Sequence, residues 1–209
     1  DDSSYNNNAG LLYGDAVLAT GNLNSGISLD GNGDYIQIGD SPQYRMDSWT
    51  MEAWIKPNSF SGTRVIAGKV SQYKDFALML NGDKISILIY DGGRRYLDSP
   101  TPATAGQWYH VAGVYDASAG KLRLYVDGVF VGEAAYTLDT SNTDPFRIGT
   151  SYCCGESFNG VIDDVRVWNV ARTETEIAGS KDAELIGSET GLVGYWKLNE
   201  TSGSTASDS

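Results

Sequence analysis

Histidine is nearly missing from this chain, which has one, His110, in 209 residues. Cysteine is scarce too: there are two, Cys153 and Cys154, and they are adjacent. A thiolate and imidazole metal site needs several such ligands, and a dithiol redox site uses the spacing C-x-x-C, so both are disfavoured. Basic residues are few, 15 Lys and Arg against 27 Asp and Glu, for a formal net charge of −12. Nucleic-acid affinity rests on Lys and Arg neutralising phosphates, so nucleic acid is not an expected partner. No apolar run approaches the roughly 18 residues that a membrane span needs. The opening DDSSYNNNAG lacks the basic end and apolar stretch of a signal peptide. The expectation is a chain without membrane insertion, whose export signal, if there is one, lies outside this segment. G-x-S-x-G, the P-loop and the dinucleotide fingerprint are also absent.

Glycine, by contrast, is abundant: 25 residues, well above the globular average of about 7%. It punctuates a chain in which apolar and polar residues alternate with period two and a helical stripe is almost nowhere. Strands are expected at 27–29, 35–38, 49–56, 64–69, 76–80, 84–90, 108–115, 121–126, 129–135, 146–149, 160–168 and 192–198. Asn81-Gly82, Ala119-Gly120 and above all Asp127-Gly128 supply the positive-φ residues of tight hairpins. One short helical turn is expected near 173–180, opened by the capping-like Thr173-Glu174-Thr175-Glu176. A dozen strands and one helical turn predict an all-β sandwich.

SGISLDGNGDYIQI, SWTMEAWIKP, RVIAGK, QWYHVAGVYDASAGKLRLYVDG, FRIG and FNGVIDDVRVWNVARTETEI occur in series. In order and spacing, over roughly residues 10–178, this series resembles the LamG-like jellyroll family, the laminin-G and pentraxin branch of the concanavalin A-like lectins and glucanases. The resemblance implies a two-sheet antiparallel jellyroll, and the reading of the residues agrees, with Trp54, Trp108, Tyr115, Tyr125 and Val165 expected on inward faces. The body is read as residues 1–180. Residues 181–209, with GLVGYWKLNE, resemble the start of a following tandem repeat, and strand 192–198 is expected to complete the sandwich. Neighbouring modules of the same chain are therefore expected partners.

Calcium takes hard oxygens from Asp, Asn and backbone carbonyls. The stretch from Asp2 to Asn8 is dense in them, and Asp163 is read as sharing the inward face of Val165 and Val167, where a carboxylate needs a cation or several donors. The resemblance implies a structural calcium site built from Asp2, Asn6, Asn8 and Asp163, with Asp30 and Asp34 of LDGNGDY as further candidates. The competing reading is that these Asn and Asp residues simply hold turns through side-chain to backbone bonds. The full acidic set that gives pentraxins paired calcium ions is not present.

Cys153 and Cys154 are either two small buried thiols or a vicinal disulfide of an exported protein. By resemblance, the loop 151–157 between FRIG and FNGVID lies beside a ligand face. The candidate ligand-binding residues there are Tyr152, Cys153, Cys154 and Glu156, together with Tyr73, Lys74 and Asp75 from a second loop and Arg94, Arg95 and Tyr96 from a third. A disulfide edge beside Tyr152 would offer an apolar platform to a sugar. Enzymes of this architecture commonly line acids along one strand, and no strand here carries such a row; His110 falls within the family's structural W-x-H-V-A pattern. The expected function is glycan recognition by a non-catalytic, secreted or cell-surface module with structural calcium. A structural or protein-binding spacer in an adhesin array is the alternative, followed by an atypical polysaccharide hydrolase or lyase.

Overall fold

A strand with one apolar face is stable only when that face is covered, and here two sheets cover each other. The structure, a computed structural model, describes residues 8–70, 74–90, 92–200 and 203–208. In chain order the strands are β1 (Gly10–Tyr13), β2 (Val17–Thr20), β3 (Ser25–Asp30), β4 (Tyr35–Ile38), β5 (Trp49–Pro57), β6 (Thr63–Lys69), β7 (Phe76–Asn81) and β8 (Lys84–Tyr90). They continue with β9 (Arg94–Asp98), β10 (Tyr109–Asp116), β11 (Lys121–Val126), β12 (Val129–Ala135), β13 (Phe146–Ile148) and β14 (Asn159–Trp168). Helix α1 (Glu174–Ser180), β15 (Leu192–Trp196) and β16 (Thr205–Ala206) complete the described chain. All pairings are antiparallel. The first sheet runs β16-β1-β4-β13-β6-β7-β8-β9 and the second β12-β11-β10-β5-β14-β3-β2, with β15 alongside β14. This is the all-β sandwich that the alternation implied, in the jellyroll form that the resemblance implied.

Between the sheets, Ile36, Ile38, Phe76, Leu78, Ile87, Phe146 and Ile148 meet Trp49, Met51, Ile55, Val111, Leu122, Leu124, Val165 and Val167. Trp196 of β15 stacks on Phe146 at 5.7 Å between ring centroids, and Tyr44 covers the same ring at 5.3 Å. Aromatic rings supply the largest apolar areas a side chain can bury. β3 and β15 share one edge of β14, pairing respectively with Asn159–Ile162 and Val165–Trp168. The segment after residue 180 thus contributes a strand to each sheet, β15 to the second and β16, through β1, to the first.

Two inward expectations fail. Trp54 and Tyr125 lie on the outer face of the second sheet. Their strands bury Met51, Ala53 and Ile55, and Leu122 and Leu124, in the core, and alternate residues must point the other way. Tyr125 instead packs with Ala112, Val114 and Ile177 of α1, while Trp54 Nε1 donates to Lys181 O at 2.8 Å. Trp108 is half-buried ahead of β10. Tyr115 and Val165 do face the core. The helix is capped as its residues suggest: Thr173 accepts from the Glu176 backbone N–H, and the Glu176 side chain accepts from Thr173.

Outside β5, β10 and β14 lies a sealed layer of buried charge. Glu52 pairs with Arg172 at 2.6 Å and approaches His110 Nε2 at 3.3 Å. Arg166, fully buried, pairs with Asp164 at 2.5 Å and donates to the carbonyls of Ser180 and Ala183. Burial opposes ionisation of Glu52, but His110, Arg172 and Arg166 outweigh it and hold its carboxyl below the usual range. His110 rests edge-on to Trp54 at 5.4 Å, a position inside the structure and away from any open surface. Among the described residues, no helix is long and apolar enough to cross a membrane.

Candidate functional site

Strand parity sends Ile36 and Ile38 of β4 and Phe146 and Ile148 of β13 into the core. Tyr35, Gln37 and Arg147 must then stand on the outer face of the first sheet. β1 pairs with β4 so that Tyr13 lies opposite Tyr35, and the two rings stack at 4.7 Å with 9° between planes. β13 pairs with β4 so that Arg147 lies opposite Gln37. The Arg147 guanidinium donates through Nε and Nη2 to Gln37 Oε1 at 3.0 and 2.6 Å. It lies 4.4 Å from the Tyr35 ring centroid and 4.7 Å from that of Tyr152.

Tyr152 arrives from the loop 149–158, which folds back over the same sheet. Its backbone is pinned at both sides: Tyr152 N donates to Val70 O at 2.7 Å, and Val65 N donates to Glu156 O at 2.9 Å. Within the loop the Ser151 hydroxyl accepts from Cys154 N, and Ser151 O accepts from Arg147 Nη1, each at 3.0 Å. Cys153 and Cys154 form a vicinal disulfide, which closes the free-thiol reading. The bridge is exposed, as is the Tyr152 ring at 55%.

Arg94 of β9 fixes the far side of the loop. Its guanidinium binds Glu156 Oε1 at 2.6 Å, lies 3.6 Å from Asp75 Oδ2, and reaches Cys154 Sγ at 3.6 Å. Burial pulls the Arg94 pKa down, but Glu156 and Asp75 more than compensate and raise it. Tyr96, two residues along, packs on the small apolar cluster of Val65, Val70, Ala77, Met79 and Leu88 under the loop.

The loop 151–157, Arg94, Tyr96 and Asp75 are thus gathered on one face. Arg95 is not: it alternates with Tyr96 and shares the parity of Leu97, which packs toward the core. Lys74 turns to another loop, pairing with Asp139 at 2.8 Å. Tyr73, Asp2 and Asn6 lie outside the described residues. Tyr13, Tyr35, Gln37 and Arg147 were not among the expected site residues. The only local signal for the last three is the polar half of YIQI and FRI; what unites them is the order β1-β4-β13, which no local pattern encodes. Among the described residues, one groove runs along Met46, Tyr115, Leu138 and Thr140, another along Ile85, Pro100, Ala103 and Tyr109, and a smaller cavity lies among Leu12, Val17, Leu198 and Ala206.

The residues nominated for calcium have separate partners. Asn8 is buried; its amide nitrogen donates to Val193 O and Asp208, and its amide oxygen accepts from Gln43. Asp163 does not share the face of Val165 and Val167. The strand bulges between Asp163 and Arg166, Asp164 takes φ of 54°, and the extra residue resets the alternation. Asp163 Oδ2 accepts from the backbone N–H of Asn22 and Leu23 at 2.8 and 2.7 Å, while Oδ1 has no hydrogen-bond partner among the described residues. Burial pushes its pKa up to about 7. Asp30 and Asp34 do come together, joined by Asp15, with one oxygen of each lying within 4.8 Å of the others. The buried Asp34 accepts from Asp15 N at 2.9 Å and Asp30 N at 3.0 Å.

A protein of Bacteroides ovatus named for carbohydrate binding has a similar structure, with a TM-score of 0.72 and 22% identity; the match covers 98% of this chain and 56% of that one. This chain therefore spans little more than half the length of that protein. Domain 4 of AbnA, an extracellular GH43 arabinanase of Geobacillus stearothermophilus solved with arabinotriose, matches with a TM-score of 0.67 and 20% identity over 80% of this chain and 81% of that one. A pentraxin of Limulus polyphemus matches with a TM-score of 0.53 and 18% identity over 75% of this chain and 84% of that one. No curated protein of similar sequence was found. At these identities the likeness is one of fold. Sequence carries the assignment: the family model of the concanavalin A-like lectin/glucanases superfamily matches residues 30–178, and the chain belongs to that family.

Proposed function

We propose that this chain is a non-catalytic carbohydrate-binding module of an extracellular protein, and that it presents the outer face of its first sheet to a glycan. The carrying observation is the exposed Tyr152 ring, stacked with Arg147 and adjoining the exposed Cys153–Cys154 bridge. Sugars have apolar faces and polar rims, and a ring or disulfide surface beside fixed hydrogen-bond donors complements both. The arabinotriose held by the arabinanase domain supports this reading. A disulfide persists in oxidising compartments, which favours an exported protein.

Hydrolysis would require an acid and a base held across a scissile bond. Asp75 and Glu156, the carboxylates beside Arg94 at the bridge, are both engaged by that arginine, an arrangement suited to holding a loop. A glycan array probed with the wild type and with Tyr152→Ala tests the reading. Wild-type binding that falls about tenfold or more in a folded variant is expected, the scale of losing one stacked ring. A variant that binds as well as the wild type would remove the site, and a wild type that binds no glycan would return the chain to the spacer class.

Structural calcium belongs to the same reading. Three carboxylates as close as those of Asp15, Asp30 and Asp34 repel one another unless a cation or protons intervene, and calcium favours such flexible oxygen sets. The three side chains would hold the ion and tie β1, β3 and β4 together at one end of the site. Raising calcium after EDTA treatment should raise the melting temperature, and the gain should vanish in Asp30→Asn. An unchanged melt in the wild type would exclude the ion.

A further inference from the structure

The glycan reading leaves open which sugar, and Arg147 narrows it. The chain carries 27 acidic residues against 15 basic ones, so an arginine on its surface has many possible partners. Arg94, Arg123, Arg166 and Arg172 all take carboxylates. Arg147 takes none among the described residues, nor do Arg64 and Arg95, but of these only Arg147 adjoins Tyr152. Its hydrogen bonds go to neutral oxygens, Gln37 Oε1 and Ser151 O, and its flat faces go to the Tyr35 and Tyr152 rings. Such contacts fix the plane of the guanidinium without neutralising its charge.

A guanidinium has five N–H donors. The bonds described use one on Nε, one on Nη1 and one on Nη2, which leaves one on each terminal nitrogen. Paired terminal donors of this kind match the oxygens of a carboxylate or sulfate. The position adds to the case. Arg147 is half-buried beside an exposed ring and an exposed disulfide, so a ligand lying on those apolar surfaces brings its substituents to the guanidinium. Arg94 cannot play this part, because Glu156 and Asp75 already occupy it.

We propose that the face selects an anionic sugar, one bearing a carboxylate or a sulfate ester, whose charge is met by Arg147 while its ring lies against Tyr152 and the Cys153–Cys154 bridge. This rests on the glycan reading above and specifies its ligand class. The net charge of −12 repels polyanions in general, so binding of an acidic glycan would report a local receptor rather than bulk attraction.

The test uses two matched pairs, polygalacturonate against its carboxyl-reduced polymer and dextran sulfate against dextran, together with an array of acidic and neutral glycans. Affinity electrophoresis should show the charged member of at least one pair binding about tenfold or more tighter, the scale of one charge-assisted hydrogen bond. Which pair responds distinguishes carboxylate from sulfate. Arg147→Gln should bring the ratio near one, and Arg147→Lys, which keeps the charge but loses the fork, should retain part of it. Should Arg147→Gln fail to fold, the wild-type ratios still decide the ligand class. Ratios near one, or array hits confined to neutral glycans, would overturn the anionic assignment while glycan binding stands. A preserved ratio in folded Arg147→Gln would overturn the role of Arg147, and no binding to any glycan would sink both readings.

Discussion

At the scale of the residue, Asp163 shows how a buried carboxylate gives stability a pH dependence. Its side chain is fully buried, with one oxygen fastening the turn at Asn22 and Leu23 and the other without a partner among the described residues. Desolvation raises its pKa from 3.8 to about 7, against the pull of those backbone N–H groups and with the help of Asp164. The folded protein therefore binds this proton more tightly than the unfolded chain does. Its stabilising effect is complete below the unfolded pKa and is lost as pH rises through about 7. Asp163→Asn preserves an acceptor for the turn and removes the charge. Its melting temperature, relative to wild type, should rise between pH 5 and pH 8 by several degrees, since 1 kcal/mol moves a domain of this size by about 2–4 °C. A difference independent of pH would show that Asp163 does not titrate there. The sequence reading put this carboxylate on the core face because period-two counting from Val165 and Val167 runs straight through residues 163–164. A bulge breaks that count, and adjacent Asp-Asp in an otherwise apolar strand was the available warning.

At the scale of the element, alternation finds most cleanly a strand with one apolar face, such as β4. β5 and β14 were found too, but both their faces are apolar or buried, so parity could not say which side met the core. Trp54 was misdirected for that reason: Lys181, whose carbonyl accepts from Trp54, and Arg172, paired with Glu52, cover the outer face of β5, and a covered outer face looks like a second core. The missed strands are edges or short pieces. β2 is exposed at Val17, Leu18 and Thr20, and β9 opens with two arginines, a charged edge that discourages pairing with other chains. β15 makes the largest contribution of the C-terminal segment. Trp196 is fully buried against Phe146 and donates to Asn8 O, and Tyr195 donates to Asp164 at 2.7 Å. Truncation of a buried Trp alone costs about 3–5 kcal/mol. Removing residues 191–209 should therefore lower the melting temperature by more than about 10 °C, or prevent folding. An unchanged melt would mean that the strand merely lies against the sandwich. The same burial predicts that Trp196→Ala alone reproduces much of the loss.

At the scale of the whole molecule, the two sheets do different work. The outer faces of β5, β10 and β14 are closed by α1, Arg172 and the segment through Ala183, around charges with buried partners. The first sheet keeps its outer face open along Tyr13, Tyr35, Arg147 and Tyr152, so the proposed glycan surface is an open one. The fold was legible because period-two patterning and turn residues are local. The tyrosine row was not, because its members come from residues 13, 35, 147 and 152 and meet only through strand order. An open surface buries little of its ligand, and single-site affinity should be correspondingly weak. A weak single site gains strength when copies are linked. Two copies joined by a flexible linker should bind a polymeric ligand about a hundredfold more tightly than one copy, because the second contact is made at the effective concentration set by the linker. A short oligosaccharide that fills one face should bind both forms equally per site. Surface plasmon resonance with the polymer immobilised, competed by the oligosaccharide, measures both quantities. Equal gains for polymer and oligosaccharide would mean that linking alters the face itself, and no gain for the polymer would mean that two faces cannot reach one chain together.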